Sequence, residues 1–128
     1  MVVLKQREDS SIVLALGMIP GMGNMRVNRL LAFVRQYGWD IDILRVITSQ
    51  TRFRQLVMWD ATIAALLEQC DGAVFEEANT QIAYARRQAL EVVNTLEDSY
   101  PQTLKHFLGD GTPPLLFIRG NPTLLHKT

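Results

Sequence analysis

The sequence predicts a mainly α-helical protein: a compact bundle of five or six short helices up to about residue 90, followed by two short β-strands. Apolar residues recur at helical spacing in the first part, as in Val27, Leu30, Leu31 and Val34. After about residue 90 the pattern changes to short β-branched and apolar runs bounded by Pro and Gly. A length of 128 residues is enough for one domain, with at most a small appendage.

The first two helices are predicted to form a helical hairpin. The N-capping residues Asp9, Ser10 and Ser11 are expected to precede a helix from Ile12 to about Met18. The turn that follows is Ile19-Pro20-Gly21-Met22-Gly23, in which apolar residues alternate with residues that interrupt helices. The second helix then ends near Gly38, a plausible C′ residue.

This turn has the spacing of a helix-hairpin-helix. Its two glycines permit positive φ or a close backbone approach, and the apolar residues Met18, Ile19 and Met22 are expected to fill the gap between the helices. The start of the second helix has free N–H groups that can bind a phosphate, but the same turn can also serve as a purely architectural corner. If it contacts a DNA backbone, the expected residues are Gly21, Gly23, Asn24, Arg26 and Arg29.

Four more helices are predicted before residue 90. Asp40 is expected to cap a third helix with Ile43, Val46 and Ile47 facing inward. A short helix from Arg52 to Met58 follows. Asp60 or Thr62 is expected to open the next helix, whose apolar stripe is Ile63, Leu66, Leu67 and Cys70. The last of the four is predicted from about Ala73 to Leu90, with the apolar stripe Phe75, Ala78, Ile82, Ala85 and Ala89.

The C-terminal part is expected to contain the two strands. The first covers residues 91–96 and the second Leu115–Ile118, an apolar run closed by breakers that is typical of a buried strand. A one-turn helix from Gln102 to Phe107 lies between them. Because two strands alone make a poor unit, the unpaired sheet edge is predicted to need a partner, most simply a second copy of the chain.

Composition limits the function classes. The formal net charge is zero, so no whole-chain field attracts nucleic acid. Locally, residues 24–56 carry six arginines against two aspartates, and residues 57–99 carry eight carboxylates against two arginines. The two segments could form a basic surface that meets phosphate and an acidic surface that meets another partner, or both could be ordinary solvated helix surfaces. The arginines suit phosphate contacts and ion pairs with a neighbouring subunit equally well.

No reactive centre is expected. The lone Cys70 excludes an internal disulfide, favours a cytoplasmic setting and is more typical of a core residue than of a nucleophile. His106 and His126 lack metal-site spacing, so we expect no metal, no cofactor and no catalytic residues. Trp39 and Trp59 could stack bases, but each adjoins a helix-capping Asp, which favours burial. No stretch approaches membrane-spanning length.

The C-terminal residues resemble a known family. In order they are Val92-Val93-Asn94-Thr95-Leu96-Glu97-Asp98-Ser99-Tyr100-Pro101, then Leu104, then Pro113-Pro114-Leu115-Leu116-Phe117-Ile118-Arg119-Gly120-Asn121, then Leu124-Leu125. Together with the hairpin, this order is similar to the N-terminal portion of the DNA-processing protein A (DprA/Smf) family. The resemblance implies a helical SAM-like or helix-hairpin-helix domain over residues 1–90 and the incomplete start of a Rossmann-like domain over residues 91–128.

The same resemblance implies a non-catalytic function. Members of the family bind single-stranded DNA during natural transformation and help to load the recombinase RecA. The family's Gly-Ser-Arg phosphate loop would follow the last residue of this sequence, so its main DNA-contacting residues cannot be assigned here. The chain is therefore expected to be either a piece of a longer protein or a short relative. Its expected roles are protein–protein contact with weak DNA backbone binding or, alternatively, self-association without DNA binding.

Overall fold

A computed structural model of the chain describes residues 2–119, with side chains from Asp9 onward. The secondary structure consists of α1 (Val2–Met18), α2 (Gly23–Gln36), α3 (Phe53–Trp59), α4 (Ala61–Gln69), α5 (Ala73–Arg87), β1 (Leu90–Asn94), α6 (Gln102–Leu108) and β2 (Leu115–Arg119). Short 3₁₀ helices cover Ile41–Arg45, Ile47–Ser49 and Gly109–Gly111. The predicted class, a helical bundle followed by two short strands, is confirmed.

The first helix begins well before its predicted start. α1 covers Val2–Met18, so Asp9, Ser10 and Ser11 lie inside the helix instead of capping it. Ser10 and Ser11 are both buried, and the Ser10 hydroxyl accepts a hydrogen bond of 2.9 Å from the Asn94 side chain. The capping prediction was wrong because a tertiary partner satisfies a hydroxyl that local reasoning assigned to the backbone.

The segment after α2 is tighter than the predicted third helix. Asp40 is its N-cap, as expected, and its carboxylate accepts from the backbone N–H of Asp42 at 3.0 Å. The helix is 3₁₀, however, and stops at Arg45. Ile47 is buried, but Val46 is half exposed, so its predicted inward orientation was wrong. A 3₁₀ helix has three residues per turn, and an α-helical periodicity therefore misplaces side chains along it.

The helices α4 and α5 follow the sequence closely. Asp60 caps α4 and accepts from the N–H of Ile63 at 3.0 Å. In α5 the predicted stripe Phe75, Ala78, Ile82 and Ala85 is buried. Ala89, assigned to the same stripe, is exposed and has φ of +62°. α5 therefore ends three residues earlier than predicted, and Ala89 turns the chain into β1.

The two strands pair with each other. β1 and β2 are antiparallel, with Val92 opposite Phe117 and Val93 opposite Leu116. β1 is buried along Val92, Val93 and Asn94, but no residue of β2 is fully buried and Phe117 is 44% exposed. The prediction that the second strand is buried was wrong. An apolar run predicts burial on both faces, but in the described residues β2 pairs only with β1, and as an edge strand it keeps its side chains partly exposed.

The sheet packs on the helical core through α1 and α5. Leu96 and Leu115 contact the main buried cluster, and Val92 packs with Ile82 and Ala85 of α5. Tyr100 is fully buried, and its hydroxyl donates to the carbonyl oxygen of Pro113 at 2.6 Å. The predicted domain boundary at residue 90 stays a prediction, because helices and strands share this core.

Part of the resemblance to the DprA family rests on Gly120, Asn121, Leu124 and Leu125, which lie outside the described residues, as does His126. Within residues 2–119 no helix combines the length and apolar character needed to cross a membrane.

Candidate nucleic-acid interface

The turn between α1 and α2 has the backbone that its glycines predict. Gly21 has φ of +87° and Gly23 has φ of +65°, both in the left-handed region. Both glycines are exposed, while Ile19 and Met22 are buried beneath the turn. The apolar residues therefore fill the space between the helices, and the glycine backbone faces solvent.

The start of α2 has no side-chain cap. Met22 occupies the N-cap position and forms no capping hydrogen bond with its side chain. The N–H groups of the first helical turn have no intrahelical acceptor, and the helix dipole adds partial positive charge at the same end. Exposed residues surround this turn, including Asn24 and Met25. The arrangement leaves backbone donors accessible to an oxyanion.

Arg26 adds a positive charge directly beside the turn. Its guanidinium donates to the carbonyl oxygen of Gly21 at 2.6 Å. A guanidinium has five N–H donors, so this bond orients the group and leaves others for an external acceptor. The structure thus brings Gly21, Gly23, Asn24 and Arg26 together at one exposed helix start.

Arg29, the fifth predicted site residue, is engaged elsewhere. Its guanidinium donates to the Asp60 carboxylate at 2.9 Å and lies 5.2 Å from the centre of the Trp59 ring. The N–H of Ile63 lowers the pKa of Asp60; desolvation partly opposes this, and the charge of Arg29 adds to the lowering. Asp60 therefore stays ionised, and Arg29 bridges α2 to the start of α4 instead of projecting freely beside the hairpin.

The two tryptophans are part of a packed aromatic cluster. Trp59 stacks on Phe33 with ring centres 4.4 Å apart, and Trp39 meets Phe33 edge to face at 5.4 Å. Arg52 lies over the Trp39 ring at 5.7 Å. Both tryptophans are half-buried beside the capping aspartates, in line with the expectation of burial. Their π surfaces are already engaged by neighbours, so base stacking has no support in this geometry.

Sequence reasoning missed one pair of cations. Arg35 of α2 and Lys105 of α6 line the same groove, although 70 positions separate them in the chain. No sequence spacing indicates that Arg35 and Lys105 lie close together, and nothing in the sequence of α6 except its basic residues marks it as part of an anion site. A clue existed in α2 itself, which contains three arginines and no acidic residue.

The lone cysteine is not activated as a nucleophile. Burial, and next to it the charge of Asp71, raise the pKa of the Cys70 thiol, which disfavours the nucleophilic thiolate. Cys70 is half-buried at the end of α4 and packs against the core. Across residues 2–119 no three His, Cys, Asp or Glu side chains are grouped so that they could hold a metal ion.

Comparisons of the chain with protein-family models, with curated proteins and with solved structures gave no match.

Proposed function

We propose that the chain is a non-catalytic DNA-processing module, similar to the N-terminal part of the DNA-processing protein A family, that contacts a DNA backbone through the α1–α2 hairpin. The observation that carries the proposal is the exposed, uncapped start of α2 with Arg26 beside it. Backbone N–H groups, a helix dipole and a guanidinium together form a site for one phosphate group.

Of the predicted contact residues, Gly21, Gly23, Asn24 and Arg26 form this phosphate site. Arg29 acts indirectly in the proposal, because its ion pair with Asp60 fixes α2 against α4. Phosphate contacts do not read base sequence, so the binding is expected to be weak and independent of sequence. The lone cysteine favours a cytoplasmic setting. By the resemblance, the protein partners of the module include a RecA-like recombinase.

The test is a fluorescence-anisotropy titration with labelled single-stranded and double-stranded DNA as salt is raised. A site with only a few phosphate contacts should bind with roughly micromolar or weaker affinity and lose that affinity steeply with salt. Gly23→Asp should weaken binding by about fivefold or more relative to Gly23→Asn. The carboxylate neutralises the positive end of the helix dipole and repels the phosphate. Asparagine has the same shape and also tolerates positive φ, so the pair isolates charge.

Arg26→Glu should weaken binding in the same assay, with Arg87→Glu as the control for net charge. The control position is distant from the hairpin. The start of α5 lies near the hairpin, because Val74 and Pro20 line the same depression. Arg87 lies thirteen residues after Val74 on α5, which places it about 20 Å from Val74 at the α-helical rise. Equal losses in the two variants, or no binding to either DNA at low salt, would count against the proposal.

Self-association without DNA binding is the second candidate, and a specific observation favours it. The C-terminal segment exposes large apolar side chains, with Phe107 78%, Leu108 49% and Phe117 44% exposed. In the part of the chain that the structure describes, the sheet has two strands, so each strand has an unpaired edge. Sedimentation of the purified chain over a range of concentrations decides this candidate, since a concentration-independent monomer excludes it.

A further inference from the structure

A groove of about 430 Å³ runs between α2 and the segment that joins β1 to α6. Two cationic side chains, Arg35 and Lys105, and two amides, Asn28 and Gln36, contribute to its walls. None of the described residues that line it is acidic. Two cations and no carboxylate give the groove a charge that suits an anion.

Lys105 is held in place on one wall. Its ammonium donates to the carbonyl oxygen of Thr95 at 2.8 Å and lies 5.4 Å from the centre of the Tyr100 ring. An ammonium has three N–H donors, so the Thr95 bond orients the group and leaves two for a ligand. A cation positioned by the protein before binding loses less conformational entropy when it meets an anion.

The opposite wall continues to the hairpin. Asn24, Asn28, Leu31 and Arg35 are spaced by four, three and four residues, which places them along one face of α2. Asn28 fixes this face to the C-terminal segment by donating to the carbonyl oxygens of Asp110 and Thr112 at 3.0 and 2.7 Å. From Asn24 to Arg35 the helical rise is about 16 Å, so one phosphate cannot occupy both positions and a strand must supply two that are well separated.

We infer that this groove holds a second backbone phosphate of the strand that contacts the hairpin, between Arg35 and Lys105, and that between the two positions the strand passes outside the C-terminal segment that covers Asn28. The inference rests on the proposed function and adds a path to it. On its other side Arg35 borders a neighbouring depression lined by Asp9 and Asp40, whose carboxylates disfavour an anion there. The phosphate therefore enters from the side of Lys105.

The test compares a thymidine dinucleotide, too short to reach both positions, with an oligothymidylate of about ten nucleotides by fluorescence anisotropy. In the wild-type chain the longer strand should bind more tightly, because it reaches both positions. Arg35→Gln and Lys105→Gln should each weaken binding of the longer strand by about fivefold near 0.1 M salt and lower the salt slope by about 0.7. Binding of the short strand should not change, and Arg87→Gln should leave both strands unaffected.

The outcomes separate the two proposals. The double variant combines Arg35→Gln with Lys105→Gln. If it binds the longer strand with wild-type affinity and salt slope while Gly23→Asp still weakens that binding, the groove inference is overturned and the hairpin proposal stands. If the wild-type chain binds neither strand at low salt, both are overturned. Circular-dichroism melting checks each fold, and if Lys105→Gln melts early, the exposed Arg35→Gln carries the test alone.

Discussion

Asp60 has two roles at the start of α4. Its carboxylate accepts from the N–H of Ile63 and forms an ion pair with Arg29. The first role was predicted from the sequence, because Asp before an apolar helical stripe is a capping pattern. The second was not, since Arg29 lies 31 residues earlier and nothing local in the sequence marks the contact. The pKa of Asp60 is lowered mainly by the Ile63 hydrogen bond and further by Arg29.

Asp60→Ala should destabilise the protein by about 1 kcal/mol through loss of the cap, and Asp60→Asn by less, because the amide oxygen still accepts from the helix. Because the pKa of Asp60 is lower in the folded state than its ordinary value of 3.8, the ionised carboxylate stabilises the protein above pH 3.8. That stabilisation is lost as the pH falls through the folded-state pKa. Urea unfolding across acidic and neutral pH measures both effects. Wild type and Asp60→Asn should converge in acid, and parallel profiles would contradict the assignment.

The α1–α2 turn shows what a sequence reveals about an element. The breakers Pro20, Gly21 and Gly23 and the buried Ile19 and Met22 were all predicted, because each acts through local backbone geometry or through its own apolar surface. The surroundings of the two glycines were not predicted. An added Cβ at Gly21 would lie 3.3 Å from the Leu66 side chain, whereas one at Gly23 would meet nothing within 4 Å.

Gly21→Ala should therefore destabilise the protein more than Gly23→Ala. Both variants force alanine into positive φ, which costs roughly 1–2 kcal/mol, and Gly21→Ala must also displace Leu66 on α4. Chemical unfolding of the two variants gives the comparison. Equal losses would mean that α4 yields without resistance and that the turn is held by the two hairpin helices alone.

Errors in the predicted elements share a physical cause. Ser10 has its partner 84 residues away, Val46 lies between two 3₁₀ helices, and β2 is an edge strand of the described sheet. In each case a tertiary contact, or the lack of one, overrides the local pattern. The helices with strong apolar stripes and clear caps, such as α4, were placed within one residue because local and tertiary preferences agree there.

At the scale of the whole molecule, the C-terminal segment completes the helical core. Asn94 and Tyr100 are fully buried, and Asn94 bonds to Ser10 in the middle of α1. The class of fold was predictable from periodicity, but this dependence was not, because it arises from pairs distant in sequence. The resemblance implies a domain boundary at residue 90. An experiment on a fragment of residues 1–90 tests whether this boundary separates two independently folding units.

A fragment of residues 1–90 should melt at least about 10 °C below the full chain, or without cooperativity, because it exposes the apolar surface under β1 and leaves the Ser10 hydroxyl without Asn94. Circular dichroism on both chains provides the measurement. In the full chain, the Ser10→Ala/Asn94→Ala double variant should lose less stability than the sum of the two single losses, which is the sign of a direct interaction. A fragment that melts cooperatively at the full-chain temperature would establish the boundary.

The 84-residue separation between Asn28 and Thr112 has a consequence for biosynthesis. A ribosome makes the N-terminal helices seconds before Thr112 is translated, at the usual rate of about 5–20 residues per second. During that interval the nascent helices lack the segment that covers them, and their apolar stripes are exposed. Chaperones that recognise apolar segments should therefore engage this polypeptide while it is still being translated, and release it once the last strand has formed.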